Sequence, residues 1–393
     1  MSTHKNMIDK ALQLADSGVE IAKGELRANS EYNRAESEQP FPRVLDGRGE
    51  IDITVTTTTV HPDYPGEYVA DVISFGTYYS GSYTAKKGVQ AILKLDNPGN
   101  YFIAVVGELA VGAGSDLTGT TDPGGEGGTI YGNKLSFNPD PVMNSISVWN
   151  AEYNTSCILA QEDVDNNYVV FTDPNVSWPE QVDSKVLPVV SVELMHRYYI
   201  AATTVAPSSL LQHGTQADPL DCGGSQAPLT FPENGSNVWY WPNTGDPLEG
   251  NGGSLYINKL TYDFFDPAAS EDKSCIVVVN GSMYISGDIA KNDQNADYTI
   301  GFIVKGNVFI ELDQLTNNLT IEGTLFIATN GRFSVVGSTI HNSFNFSGAA
   351  LFSDKMDLAR GFNVRTYTYD PMVKNISNLP FLVYPVEYTV FPN

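Results

Sequence analysis

The chain has 393 residues and a formal net charge of −24, with no Lys/Arg cluster, which argues against a nucleic-acid backbone or an anionic membrane surface as partner. Only 17% of residues are charged and 41% are apolar, so polarity comes from Asn, Thr, Ser and Gly while ample material remains for burial. That balance reads as strands and turns on an exported surface protein rather than as a helical cytosolic enzyme.

From His4 to about Tyr32 the chain has no Pro, and apolar side chains recur at Met7, Ile8, Ala11, Leu12, Ala15, Val19, Ala22 and Leu26. Spacings of three and four predict a single helix of about 28 residues with one apolar stripe. It ends before the Pro40-Phe41-Pro42 breaker. The period then falls to two. Ile51, Ile53 and Val55 alternate with Asp52, Thr54 and Thr56, the pattern of a strand with one buried face. Turn chemistry over His61–Gly66 separates it from a strand over Tyr68–Phe75, and further strands are expected over Tyr83–Leu95 and Tyr101–Ala110. A long helix followed by an antiparallel meander is an α+β arrangement, with the sheet packed on the helix stripe.

Val111–Gly128 reads as a Gly/Asp/Thr surface loop. It lacks the Gly-Lys-Ser/Thr of a phosphate-binding loop and carries Asp116, Asp122 and Glu126 where a phosphate would be repelled. Residues from about 129 to 250 read as mixed short strands without an assignable topology.

The last third contains a repeat. Val279-Asn280-Gly281-Ser282-Met283-Tyr284-Ile285 recurs at Val304–Ile310 and again at Ile321–Ile327, with partial copies at Gly253–Ile257 and Phe346–Phe352. The glycines are separated by 28, 25, 17 and 25 positions, about one turn of a β-solenoid each. Period-2 geometry places Ile285, Ile310 and Ile327 in a buried ladder with Gly281, Gly306 and Gly323 aligned. It turns Tyr256, Tyr284, Phe309, Phe326 and Leu351 outward, one per rung. The expected fold is mainly β with one long N-terminal helix: an α+β module over 1–110, a β-rich insertion over 111–250, a β-helix over 251–360 and a tail or cap over 361–393.

The helix segment Ala11-Leu12-Gln13-Leu14-Ala15-Asp16-Ser17-Gly18-Val19-Glu20 resembles the A-x-x-x-A-E-[SA]-G-[LIV]-E segment of PilX-like minor pilins of type IV pili. The resemblance covers about the first 100 residues, and Asp16 stands where that family usually has Glu. It implies a pilin-like α+β module, a bacterial cell-surface location, and partners among other pilin subunits or pilus assembly proteins. It also implies that Met1-Ser2-Thr3 either replaces a removed membrane segment or marks a diverged soluble relative, and a membrane-anchored precursor is the expectation. The stripe would then serve twice: its C-terminal half packs on the sheet, while Ile8, Ala11, Leu12 and Ala15 mark the part engaged in assembly. The solenoid lies outside the family's common core and reads as an added presentation domain. The rival expectation is a secreted β-helix protein that binds or cleaves polysaccharide.

Few residues point to chemistry. Asp163, Asp165 and Asn167 begin like a calcium loop, but Tyr168 replaces the Gly at the sixth position and Pro174 the Glu at the twelfth. An Asx-rich turn without metal is the expectation, and no cofactor is expected. The five histidines are scattered without a helix-borne pair, and Cys157, Cys222 and Cys275 show no C-x-x-C spacing. The expectation is therefore a non-catalytic protein. An aromatic ladder of Tyr256, Tyr284, Phe309 and Phe326 would be an exposed apolar patch, and such patches mark contacts. It would meet either a glycan or a protein, unless another part of this chain covers it.

Overall fold

The computed structural model describes residues 2–29, 31–35, 41–44, 48–111, 115–118, 129–137, 142–144, 147–150, 170–171, 180–181, 190, 192–203, 213–231, 238–241, 246–249, 252–264, 274–293, 298–316, 318–328, 331–352, 354–358, 360–376, 379–380 and 382–391. It divides into two compact units, one formed by Met1–Asn97 with Pro380–Asn393 and the other by Pro98–Leu379.

In the first unit a helix, α1 (Ser2–Ala28), lies on an antiparallel sheet. Met7, Ala11, Leu14, Ala15, Val19, Ala22 and Leu26 are buried, one side of a 3.6-residue period. They meet Ile51, Ile53 and Val55 of β2 (Gly49–Val60), Ala70 and Val72 of β3 (Pro65–Ser80), and Val89, Ala91, Leu93 and Leu95 of β4 (Tyr83–Asp96). A short β1 (Phe41–Val44) pairs with one side of β2. Helix and sheet approach closely at two glycines. A Cβ on Gly18 would overlap the Ser74 hydroxyl and crowd Ile51, while one on Gly76 would overlap the Ala11 carbonyl. Ser17 turns away from the sheet, and its hydroxyl donates to the Gln13 carbonyl at 2.7 Å.

The sheet is completed from the far end of the sequence. Leu382–Val390 pairs antiparallel with β4, from Leu382 opposite Asp96 to Val390 opposite Val89. Residues 361–393 are thus not one tail: the sheet of the first unit needs this strand as its edge. Its register shifts between Pro385 and Glu387, as expected where a Pro cannot donate to the ladder. The unit boundary falls after Asn97 rather than at residue 110, because Tyr101–Val111 belongs to the other sheet.

The second unit is built from parallel strand pairings. One column runs Val238–Trp241, Ser274–Val279, Thr299–Val304 and then the ends of Leu319–Ala328 and His341–Phe352. A second runs from the start of Leu255–Phe264 through Met283–Ile285, Val308–Glu311 and Phe333–Val336. A third joins Tyr262 to Lys291, Ile289 to Ile321, and Phe346 to Tyr367 through their strands. These pairings are parallel and in register, and the sheet does not close on itself among the described residues.

The stack does not follow chain order. Ala350, Leu351 and Phe352 pair with Ile103, Ala104 and Val105, so the last long rung of the chain lies on the first. Tyr101–Val111 pairs on its other side with Thr129–Phe137, and that strand with Ser147–Asn150. The stretches separated in the sequence reading as 111–250 and 251–360 therefore share one stack.

A second helix, α2 (Val192–Thr203), was not legible in the sequence. It buries Leu194, Met195, Tyr198 and Ala202 and packs on Val238–Trp241. That strand pairs only with Ser274–Val279 among the described strands. Tyr199 meets Tyr240 edge-on at 5.2 Å. An exposed end of a stacked core needs such a lid. No described helix is long and apolar enough to cross a membrane.

Candidate functional site

The second column positions the outward aromatic residues. Leu255 and Ile257, Met283 and Ile285, and Val308 and Ile310 point inward and are buried, so the residue between each pair faces out. Tyr256 and Tyr284 stack with ring centroids 4.5 Å apart and planes 5° from parallel, and Tyr284 stacks on Phe309 at 5.1 Å. All three rings are half-buried. Burial, with the nearby Tyr284 and the Glu311 charge, raises the Tyr256 pKa. Because the rings face one another, the ladder offers edges and phenol hydroxyls outward rather than a row of open ring faces.

The expected ladder is corrected beyond Phe309. The next residue in register is Ser334, not Phe326. Phe326 lies in the first column, fully buried and stacked on Phe302 at 5.4 Å, and Leu351 is buried beside Ile327. Ile327 pairs with Ile303, so the ladder of Ile285 and Ile310 continues at Val335 instead. The glycine column is corrected in the same way. The backbone N–H of Gly306 donates to the Gly281 carbonyl at 2.8 Å, and a Cβ on Gly331, not on Gly323, would meet the Gly306 carbonyl. Gly323 sits instead at a corner with φ +58°, where the chain passes from the third column to the first. An equal interval of 25 residues, from Gly281 to Gly306 to Gly331, was the available signal.

Two residues beyond each ladder position, on the same strand face, lie Asn258, Ser286 and Glu311. The Ser286 hydroxyl donates to Glu311 Oε2 at 2.9 Å. Asn258 and Ser286 of this row line an open groove of about 390 Å³, whose other walls include Asp221, Lys259, Asp288, Gln314 and Asn318. The walls are tied to neighbouring segments. Asp288 Oδ1 accepts from the Thr320 N–H at 2.7 Å, Asn318 Oδ1 from the Ser343 N–H at 3.2 Å, and Lys259 Nζ donates to the Gly223 carbonyl at 3.0 Å. Hydrogen bonds from Ser225, helped by the Lys259 charge, hold the Asp221 carboxyl below the usual carboxylate range. The sequence reading missed the groove, though the i+2 spacing from the ladder marks one of its walls.

The remaining candidates do not gather around it. Asp163, Asp165 and Asn167 lie outside the described residues, as does Cys157, and no group of three or more His, Cys, Asp or Glu side chains among the described residues is placed to hold a metal. Cys222 and Cys275 are buried free thiols, and burial with the Asp221 charge pushes the Cys222 thiol up to about 11. His196 pairs with Asp246 at 2.7 Å beneath α2, and His213 with Asp218 at 2.8 Å. On α1, Ala11 and Ala15 are fully buried in the first unit's own core and present no outer surface; Ile8 and Leu12 are half-buried at its rim.

No family model and no curated protein matches the chain. Among solved structures it is similar to the competence-associated pilin ComZ from Thermus thermophilus, with 12% identity, 98% of each chain covered and a TM-score of 0.34.

Proposed function

We propose that this chain is a non-catalytic, pilin-like surface subunit of the PilX-like minor pilin kind. In this reading the first unit is the assembly module, and the second coils as a β-helix that presents a contact surface outside the bacterial cell. The observation that carries it is the seating of α1. The Ser17-Gly18 pair, which bears the resemblance to PilX-like pilins, is where the helix backbone comes down on Ser74 and Ile51 of an antiparallel sheet. Partners are other pilin subunits or pilus assembly proteins, met through the exposed flank of α1 and its half-buried Ile8 and Leu12. A role in pilus assembly or adhesion follows, with membrane attachment only through a segment ahead of the helix.

Shearing pili from the native cells and identifying the chain in the pilus fraction by mass spectrometry tests this, together with the sequence encoded upstream of Ser2. The expected result is recovery with pili, and a prepilin-type cleavage site followed by about 20 apolar residues ahead of α1. Recovery only in the culture medium, behind an ordinary secretory signal peptide, would overturn it.

A further inference from the structure

We infer that the polar groove beside the aromatic ladder binds a neutral glycan. Its volume of about 390 Å³ lies within the range of small-ligand sites, roughly 300–1,000 Å³. Its lining differs from the apolar lining usual for drug-like molecules: amides at Asn258, Gln314 and Asn318, a hydroxyl at Ser286 and carboxylates at Asp221 and Asp288. An amide offers a donor and an acceptor side by side, and a carboxylate accepts from two adjacent hydroxyls. Vicinal sugar hydroxyls present the complementary pattern.

The groups are held in place before any ligand arrives. Asp288, Asn318 and Lys259 each spend one hydrogen bond on a neighbouring segment and keep further capacity on the groove side. Walls fixed in this way lose little freedom on binding. The side chains of Asn258 and Gln314 are exposed, and they are the amides assigned here to ligand contact.

Charge selects the class of sugar. Asp221, Asp288 and the adjacent Glu311 outnumber the Lys259 ammonium. A uronate, a sulfated sugar or a phosphate would meet repulsion, whereas a neutral hexose or N-acetylhexosamine would not. Tyr256 and Tyr284 stand two residues before Asn258 and Ser286 on their strands, next to the groove rather than in its lining. With its ring faces stacked on each other, the ladder offers no open platform for a sugar ring, and the amides carry the recognition.

Isothermal titration of the full chain with neutral hexasaccharides of glucose, galactose, mannose and N-acetylglucosamine, beside oligogalacturonate, tests the assignment. At least one neutral sugar should bind, with oligogalacturonate weaker. Asn258→Ala and Gln314→Ala should each lower that affinity about tenfold, the value of one lost hydrogen bond, with the melting temperature unchanged. Absence of binding by all four neutral sugars at millimolar concentration would overturn it. So would equal binding of oligogalacturonate, or binding that survives both substitutions. None of these outcomes depends on pilus assembly, so this inference and the proposed function fail separately.

Discussion

Gly18 of α1 faces Ser74 of β3 with no room for a side chain between them. Six residues further along the same helix, Gly24 has nothing within 4 Å of where its Cβ would lie. The two glycines should therefore respond oppositely to the same change. Gly24→Ala should stabilise the protein by about 0.5–1 kcal/mol, because Ala is the better helix former. Gly18→Ala should cost about 1–3 kcal/mol through overpacking. Urea unfolding of both variants checks the pair, and equal effects would refute the close seating of the helix.

Ile310 is fully buried, and its strand neighbour Phe309 is half-buried on the other face. Ile310→Ala should cost about 2–5 kcal/mol, lost burial plus cavity. Phe309→Ala should cost less, because it removes one stacking contact, worth about 0.5–1.5 kcal/mol, and only part of a buried surface. Chemical denaturation gives the order, and a larger loss at Phe309 would mean that the inward face had been misassigned.

The Asp313 carboxylate accepts from the N–H groups of Ser338 and Thr339 and from the Thr339 hydroxyl, at 2.7–3.1 Å. These bonds from Thr339 and Ser338 hold its pKa below the usual range. A carboxyl depressed in the folded state gives stability that is present above its unfolded pKa, about 3.9, and is lost as pH falls through the lower folded value. Asp313→Ala should therefore melt lower than the parent at neutral pH. The gap should close on acidification below about pH 4, as thermal melts across that range would show.

Asp96 and Leu382 stand opposite each other in the first unit, although 285 residues lie between them in the chain. Replacing residues 97–381 with a two-residue Asn-Gly turn, the natural closure for such a pair, should leave a folded helix-on-sheet module. Circular dichroism and a dispersed amide NMR spectrum check it. A disordered product would show that the first unit needs the second to fold.

Much of this architecture was legible because the hydrophobic period changes sharply. Spacings of three and four set α1, and alternation set β2, β3 and β4 within a few residues of their ends. The third copy of the repeat was misplaced for a local reason. Gly323 followed by Thr324, Leu325 and Phe326 has the same small-then-apolar pattern as a rung, yet it turns a corner into a different column. The final strand is masked in the sequence because Pro385 interrupts its alternation, and pairing with β4 shows that the Pro sits at a bulge on an edge. In α2, the β-branched and aromatic residues Val192, Tyr198, Tyr199 and Ile200 favour strand locally; packing on Val238–Trp241 decides otherwise. The groove is assembled from four separated segments, so no local pattern announces it.

The pairing of Ala350–Phe352 with Ile103–Val105 also sets a timetable for biosynthesis. A ribosome delivers the 101–111 strand early and its 341–352 neighbour nearly 250 residues later. At about 5–20 residues per second, the nascent chain carries an apolar edge without that partner for tens of seconds. An open parallel edge is a template for the wrong strand. The risk of misassembly therefore falls in the interval before residue 352 emerges, and a holding chaperone or slow export during that interval would raise the yield of correctly stacked protein.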